Sequence, residues 1–500
     1  MALVPNEVWL HIFSLVSDQR SLRAIALSSR QFYNLALPEL LRIVAWHSVE
    51  KAEAHLDFFE TRVDCRNIPT KLGLTLTSAS VTQLDSITAI VDRMTWFANL
   101  DTLYFANAHL SNSFYTVLVQ LPRLRNLSLH ACHLASPPLA VLPNLSPNPS
   151  SPAVNLDIPV THLTVADLSA LGPVHIHTIY RHLLAQLQNL VSLTLKDQYP
   201  VLVELLPALT SLSICALSDE HAVSLLNERF LPSIAANLLH LRVDVADVPP
   251  DSRRPVELVE ISAPSLQSFT GSLYLANCLL RTAPNLSSIT ISTVVKKTQD
   301  ALAFIETASA APIEDIELRV EDWDDEVLLA ITHRLPSCRR VKLFFYYSQP
   351  SDDFLFHLGV QHLPSLPYLH TLHVHAVPIP PPSPVHQFRR RLDAITRTRE
   401  NTNDDTSTAA RIRAVDPEEE SCEEYLAVWK KYNPKLRAVK FVKGREWRRE
   451  GEGGRLFVWS LQDVGERDGE GAGVEEEEEE GSEYEYGSLD GEFEGDSEEE

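Results

Sequence analysis

The stretch Leu124-Arg125-Asn126-Leu127-Ser128-Leu129-His130-Ala131-Cys132-His133-Leu134 decides how this chain is read. Leu127 and Leu129 are two residues apart, the spacing that sends both side chains to one face of a β-strand while Asn126, Ser128 and His130 take the other. Leu124 leads into the strand, and Cys132 and Leu134 supply apolar side chains just beyond it. One such strand buries too little to stand alone, so the pattern has meaning only if copies stack beside it.

The copies are present. Leu100/Leu103/Phe105, Leu190/Leu193/Leu195, Leu209/Leu212/Ile214 and Leu238/Leu241/Val243 share the spacing, as do Leu286/Ile289/Ile291, Ile313/Ile316/Leu318, Cys338/Val341/Leu343 and Leu369/Leu372/Val374. Weaker copies centre on Leu163 and Phe269, and a late one, Leu436/Val439/Phe441, follows a long gap. From residue 103 to residue 372 the central positions recur about every 27 residues, the period of a leucine-rich repeat with its L-x-x-L-x-L core. Only the copy at 124–134 runs on to the cysteine landmark, so the repeats are degenerate. Between them, 175–187 and 324–335 place apolar residues at helical spacing. The expected fold is α/β: an irregular solenoid over 95–377 with a parallel sheet on its concave side. A doubly wound α/β domain also alternates strand and helix, but it does not repeat one signature eleven times.

Composition sets limits around this array. The chain has 500 residues, 44% of them apolar, and carries a net charge of −24. Residues 463–500 hold 19 acids and one base, including the unbroken run Glu475 to Glu480. That segment cannot pack and reads as a disordered acidic tail, whereas 1–462 is nearly neutral. No broad basic patch is visible, so no nucleic acid is expected. No apolar run is long enough for a membrane helix, and no signal peptide opens the chain, so no membrane is expected and the location is cytoplasmic or nuclear. Cys65, Cys132, Cys215, Cys278, Cys338 and Cys422 lie far apart, which fits reduced buried thiols better than disulfides or a zinc site. Four of the 16 glycines fall in the first 443 residues. A proline-rich insertion occupies 135–159. Residues 378–417 read as a Pro-rich, basic and polar linker, and 418–462 as a helix and strands capping the array.

Residues 1–45 form a separate helical module, with 46–94 as linker and N-terminal cap. Pro5 and Glu7 suit a first helical turn, followed by Val8, Ile12, Leu15 and Val16 at helical spacing. After the polar turn at 17–20, Ser21 caps a second helix carrying Leu22, Ile25 and Ala26. A third apolar set is Phe32, Leu35, Leu40 and Leu41. This module resembles an F-box. Leu3-Val4-Pro5-Asn6-Glu7-Val8 looks like that family's opening L-P-x-E-[IV]. Ile12-Phe13 and Leu15 match its next step, and Arg30, Phe32, Leu35, Pro38 and Leu41-Arg42 match its later ones. Val4 replaces the usual leucine, and Ser28-Ser29 replaces the usual Val-Cys. The resemblance, closest to the large fungal branch of the family, implies docking on a Skp-type adaptor and, through it, a cullin. The adaptor contacts would come from Leu3, Pro5, Val8, Ile12, Leu15, Leu22 and Leu35, about half of them serving instead as the module's own core. Three short helices bury little by themselves, which fits a module that leans on a partner. The alternative is a plain N-terminal cap for the solenoid.

On an L-x-x-L-x-L strand the residues beside the leucines face outward. That set includes Tyr104, His130, Lys196, Arg242, Arg319, Lys342, Phe344, His373 and His375. Charge and aromatics collect in the last copies, so Arg319, Lys342, Phe344, His373 and His375 are the candidate contacts for a protein substrate of unknown identity. No P-loop, H-E-x-x-H or G-x-S-x-G occurs, and His373/His375 lack further ligands; no catalytic activity, metal or cofactor is expected. The functional expectation is a non-catalytic substrate receptor of an SCF-type ubiquitin ligase. The alternative is an acidic-tailed leucine-rich-repeat scaffold that binds basic proteins such as histones.

Overall fold

The computed structural model describes residues 4–16, 18–76, 83–135, 158–166, 183–184, 186–196, 206, 208–216, 218–227, 234–245, 261–348, 350–377, 419–442, 445–450 and 458–463. The proline-rich insertion, most of the helix expected over 175–187, the 378–417 linker, Leu3 and the acidic segment from 464 onward lie outside them.

Three helices open the chain: α1 (Asn6–Leu15), α2 (Gln19–Ser28) and α3 (Arg30–Arg42). Asp18, rather than Ser21, caps α2. Its carboxylate accepts the Arg20 and Ser21 N–H groups at 3.1 and 2.8 Å and the Ser21 hydroxyl at 2.6 Å. Those bonds hold its pKa below the usual carboxylate value. Ser29 caps α3 through the Phe32 N–H (3.1 Å). The module's core is small: Phe13, Leu22, Ala26 and Ala36 are buried, with Trp9, Ile25, Phe32 and Leu35 packed around them. Trp9 and Phe13 both lean on Phe32, with ring centroids at 4.8 and 5.8 Å.

The solenoid follows without a break. Its strands are β1 (Ile43–Trp46), β2 (Lys71–Thr75), β3 (Thr102–Ala106), β4 (His109–Leu110), β5 (Asn126–His130), β6 (His133–Leu134), β7 (His162–Ala166), β8 (Ser192–Leu195) and β9 (Ser211–Ala216). They continue with β10 (His240–Val245), β11 (Ser268–Gly271), β12 (Ser288–Val295), β13 (Asp315–Asp322), β14 (Arg340–Tyr347), β15 (Thr371–Ala376), β16 (Ala438–Val442), β17 (Arg445–Glu450) and β18 (Val458–Asp463). All but β4 and β6, which pair with each other, join one sheet of 16 strands. It is parallel from β1 to β16 and antiparallel for the last two.

The central residues of the repeats stand in a single row: Leu103, Leu127, Leu163, Leu193, Leu212, Leu241, Phe269, Ile289, Ile316, Val341 and Leu372 are register partners in turn. The reason is local. A one-residue slip would turn every apolar side chain of a strand to the open face, so burial fixes the register. These L-x-x-L-x-L strands, stacked in one parallel sheet, make the chain a solenoid of the leucine-rich-repeat type. The array begins earlier than the repeat spacing implies: Val44 and Leu72 occupy the same row. Residues 46–94 are therefore two further turns rather than a linker.

Helices return the chain between strands on the other side of the sheet: α4 (Val49–Thr61), α5 (Leu84–Arg93), α6 (Ser113–Gln120), α7 (Asp219–Leu225), α8 (Leu273–Leu280), α9 (Thr298–Ala308), α10 (Asp325–Arg334) and α11 (Asp352–His357). One hydrophobic core runs from Leu37 to Val439. Helix α3 serves both cores, with Ala36 in the small one and Leu37 in the long one. Tight exits from β3 and β5 place Asn107 and Ala131 at positive φ (54° and 47°). The Asn107 side chain offsets this by donating to the Leu76 carbonyl at 2.9 Å. At the far end α12 (Glu419–Tyr432) leads into β16. Trp429 on that helix is fully buried and donates from Nε1 to the Leu355 carbonyl (3.0 Å). Cys65, Cys132, Cys278 and Cys338 are buried and outside any disulfide, and burial pushes the Cys132 and Cys338 thiols up to about 12.

Candidate protein-interaction surfaces

Two surfaces collect the residues singled out above. The first is the outer side of the helical module. Val8, Ile12 and Leu15 recur at helical spacing along α1, Val4 lies just before it, and all are exposed, Leu15 by 71%. Pro5 is exposed at the N-cap. Leu22 does not belong to this surface: it is buried, because α2 turns it toward Phe13 and Ala26 in the module's core. Leu35 is half-buried against the same core. Both are apolar residues on the inner side of their helices and help to hold the module together. Sequence reasoning missed Leu10, Tyr33 and above all Leu27, which is 77% exposed. The signal was available: Leu27 falls off the stripe defined by Leu22, Ile25 and Ala26.

The second surface is the open face of the sheet. Along it, equivalent side chains form rows across the strands. One row reads Thr164, Thr194, Ser213, Arg242, Thr270, Thr290, Glu317, Lys342, His373 and Lys440. Small hydroxyls line most of it, interrupted by Arg242, and charge lines its end, where Lys440 is fully buried. The charges at the end answer one another. The Arg340 guanidinium forks onto the Asp315 carboxylate, with Nε to Oδ1 at 2.7 Å. Lys342 lies 3.4 Å from Glu317, and Arg319 is 3.9 Å from the same carboxylate. The Arg319 guanidinium sits 6.0 Å from the centroid of Phe344, whose ring meets His375 at 4.9 Å.

Arg319, Lys342, Phe344, His373 and His375 are thus brought onto one face of three adjacent strands. Two points differ from the expectation. The cations are neutralised by Glu317 and Asp315, which sequence spacing did not single out. His375 is buried, its ring packed beside Phe344 and its Nδ1 lying 3.0 Å from the Ala376 carbonyl. It is therefore withdrawn from the contact surface. Partly exposed ion pairs of this kind contribute about 0 to 1 kcal/mol each, so they cost little to rearrange when a partner arrives. A depression lined by Ser288, Thr290, Asp315, Glu317, Arg340 and Lys342 encloses about 140 Å³. That is well below the roughly 300 Å³ at which a pocket begins to bury a small molecule. Among the described residues no group of three or more His, Cys, Asp or Glu is placed to hold a metal ion, and no helix is long and apolar enough to cross a membrane.

No family model matches the chain, and no curated protein matches it. Similar solved structures include an internalin from Listeria monocytogenes, at 14% identity over 63% of this chain and 78% of that one, with a TM-score of 0.25. A TLR13–ssRNA13 complex is similar at 15% identity over 62% of this chain and 46% of that one (TM-score 0.33). The LRR ectodomain of the plant membrane receptor kinase GASSHO1/SCHENGEN3 from Arabidopsis thaliana is similar at 11% identity over 67% of this chain and 41% of that one (TM-score 0.19). The chain spans less than half the length of the second and third.

Proposed function

We propose that this chain is a non-catalytic substrate receptor of a cullin-type ubiquitin ligase. In this reading α1–α3 dock on a Skp-type adaptor, the open face of the sheet holds a protein substrate, and the chemistry belongs to the bound partners. The observation that carries the reading is how the helical module divides its apolar residues. A buried minority, Phe13, Leu22, Ala26 and Ala36, forms a core apart from that of the solenoid, while Val4, Val8, Ile12, Leu15 and Leu27 face solvent. A module serving only to cap the solenoid would turn its apolar residues toward β1. Helix α3 does so through Leu37 and Leu41, which leaves α1 with an unused stripe. The F-box-like order of motifs in the same residues supports the adaptor as its occupant.

The test is capture of a purified Skp-type adaptor by the full chain and by a Val8→Glu/Leu15→Lys variant. Glu near the start of α1 and Lys at its end suit the helix dipole, so the helix is kept while the stripe is lost. Burying the two side chains contributes about 3 kcal/mol, which makes the expected weakening about a hundredfold. Failure of the unaltered chain to bind adaptor, or equal binding by the variant, refutes the proposal.

A further inference from the structure

Three cations and a histidine meet at the edge of the sheet where β14, β15 and β16 begin. Arg339, His370 and Arg437 each occupy the residue before a strand, and their backbones form a ladder. The Arg339 N–H donates to Glu314 O at 2.6 Å, the His370 N–H to Arg339 O at 2.7 Å and the Arg437 N–H to His370 O at 2.8 Å. Successive positions are therefore about 4.8 Å apart. Lys435 joins them, its Nζ 4.4 Å from the ring centroid of Tyr368, which is exposed. One of these cations, Arg339, has a carboxylate at 3.3 Å, that of Glu314. Arg437 and Lys435 have no ion-pair partner among the described residues. Burial, together with Arg437, Arg339 and Lys435, holds the His370 imidazole below its usual pKa. Earlier turns place Thr210, Leu239, Gln267 and Ser287 at the same position of the ladder. Asp101, Arg125 and Glu314 bring single charges to that position in other turns, whereas at β14 to β16 several cations gather, and gathering like charge costs stability.

We propose that this basic edge is the docking site of the chain's own acidic segment, residues 464–500. The segment continues directly from β18, the outermost strand of the same sheet. It holds 18 acids and one base. From Asp463 to Arg437 is about 20 Å, two strand spacings across and one strand length along. The 12 residues from 464 to Glu475 span up to about 40 Å when extended. The run Glu475 to Glu480 therefore reaches the cations with slack. Tethering sets an effective concentration on the order of 1 mM, so a free-peptide Kd of about 50 µM leaves the edge about 95% covered. The inference is independent of the adaptor reading.

The test uses a labelled synthetic peptide of residues 464–500 and fluorescence anisotropy at low salt. Three full-length proteins are compared: the natural chain, a chain with Glu475 to Glu480 all changed to Gln, and that chain with Lys435→Glu and Arg437→Glu added. The expected result is that the Gln chain binds the peptide up to about twentyfold more tightly than the natural chain, since the Glu475 to Glu480 run no longer competes. Charge reversal removes that binding, and salt weakens it. Lys435 and Arg437 are exposed, so an unchanged melting curve excludes misfolding. Equal affinity of the natural and Gln chains, no binding to either, or indifference to the charge reversal overturns the proposal.

Discussion

Gly359→Ala is the sharpest single test of how the array ends. Gly359 sits in the turn Leu358–His362, against the indole of Trp429, which arrives from α12 some 70 residues later. A Cβ built on Gly359 would lie 2.0 Å from Trp429 Cδ1 and 2.4 Å from Nε1. Carbon contacts sit near 3.5 Å, so the ring must retreat by about 1.5 Å. It has little room, since it is fully buried and its Nε1 is tied to the Leu355 carbonyl. Two effects oppose each other. Ala is better than Gly in a helical turn by about 1 kcal/mol. Evicting a buried Trp approaches the about 3 to 5 kcal/mol of its truncation. The contact wins, leaving a net loss of about 2 to 4 kcal/mol, or an open population about 30- to 1,000-fold larger. Because each turn of a solenoid contacts mainly its neighbours, the loss stays at this end. Hydrogen exchange should therefore accelerate in α12 and β16 while β3 to β12 keep their protection. In a Trp429→Ala background the same glycine substitution should be neutral or stabilising. Unchanged protection of α12 in Gly359→Ala would refute the packing argument.

Three further outcomes are expected. The Val8→Glu/Leu15→Lys variant should melt within about 0.5 kcal/mol of the natural chain, because both side chains are exposed, and differential scanning calorimetry checks this. Ser29→Ala should cost about 1 kcal/mol of local stability in α3 by removing the acceptor for Phe32 N–H, while Ser29→Asp keeps it; hydrogen exchange of α3 reads the difference. His55 accepts from Trp46 Nε1 at 3.1 Å, and burial, then Lys51 and Arg23, lower its pKa. The unfolded chain therefore takes up this proton first. Stability should fall as pH drops from about 6.5 through the folded pKa, and His55→Gln should flatten that part of a melting-temperature profile.

Much of the fold was legible because each repeat carries its own instruction. The eleven central residues read from the sequence all stand in register, and Val44, Leu72 and Val439 extend the row at its two ends. Two turns were passed over for reasons visible in the residues. In β2 the position three before Leu72 is Pro69, so the triplet is incomplete. Leu41/Val44/Trp46 has the spacing of a repeat but follows directly on a helix, so the helical pattern masks it. In the helical module, periodicity identified apolar helices but could not divide docking residues from core residues, since both are apolar. Leu15 and Leu22 look alike until the helices are packed.

By itself the sequence determined the L-x-x-L-x-L strands, the N-terminal helices and the separation of acidic charge from a nearly neutral body. All three depend on neighbours within a few residues, where strand and helix periodicities act. Tertiary structure alone decided that Asp315 meets Arg340, that Trp429 fills the space left by Gly359, and that Arg339, His370 and Arg437 share an edge. Those pairs are tens of residues apart and become neighbours only when the buried rows of leucine lock each strand in register with the next.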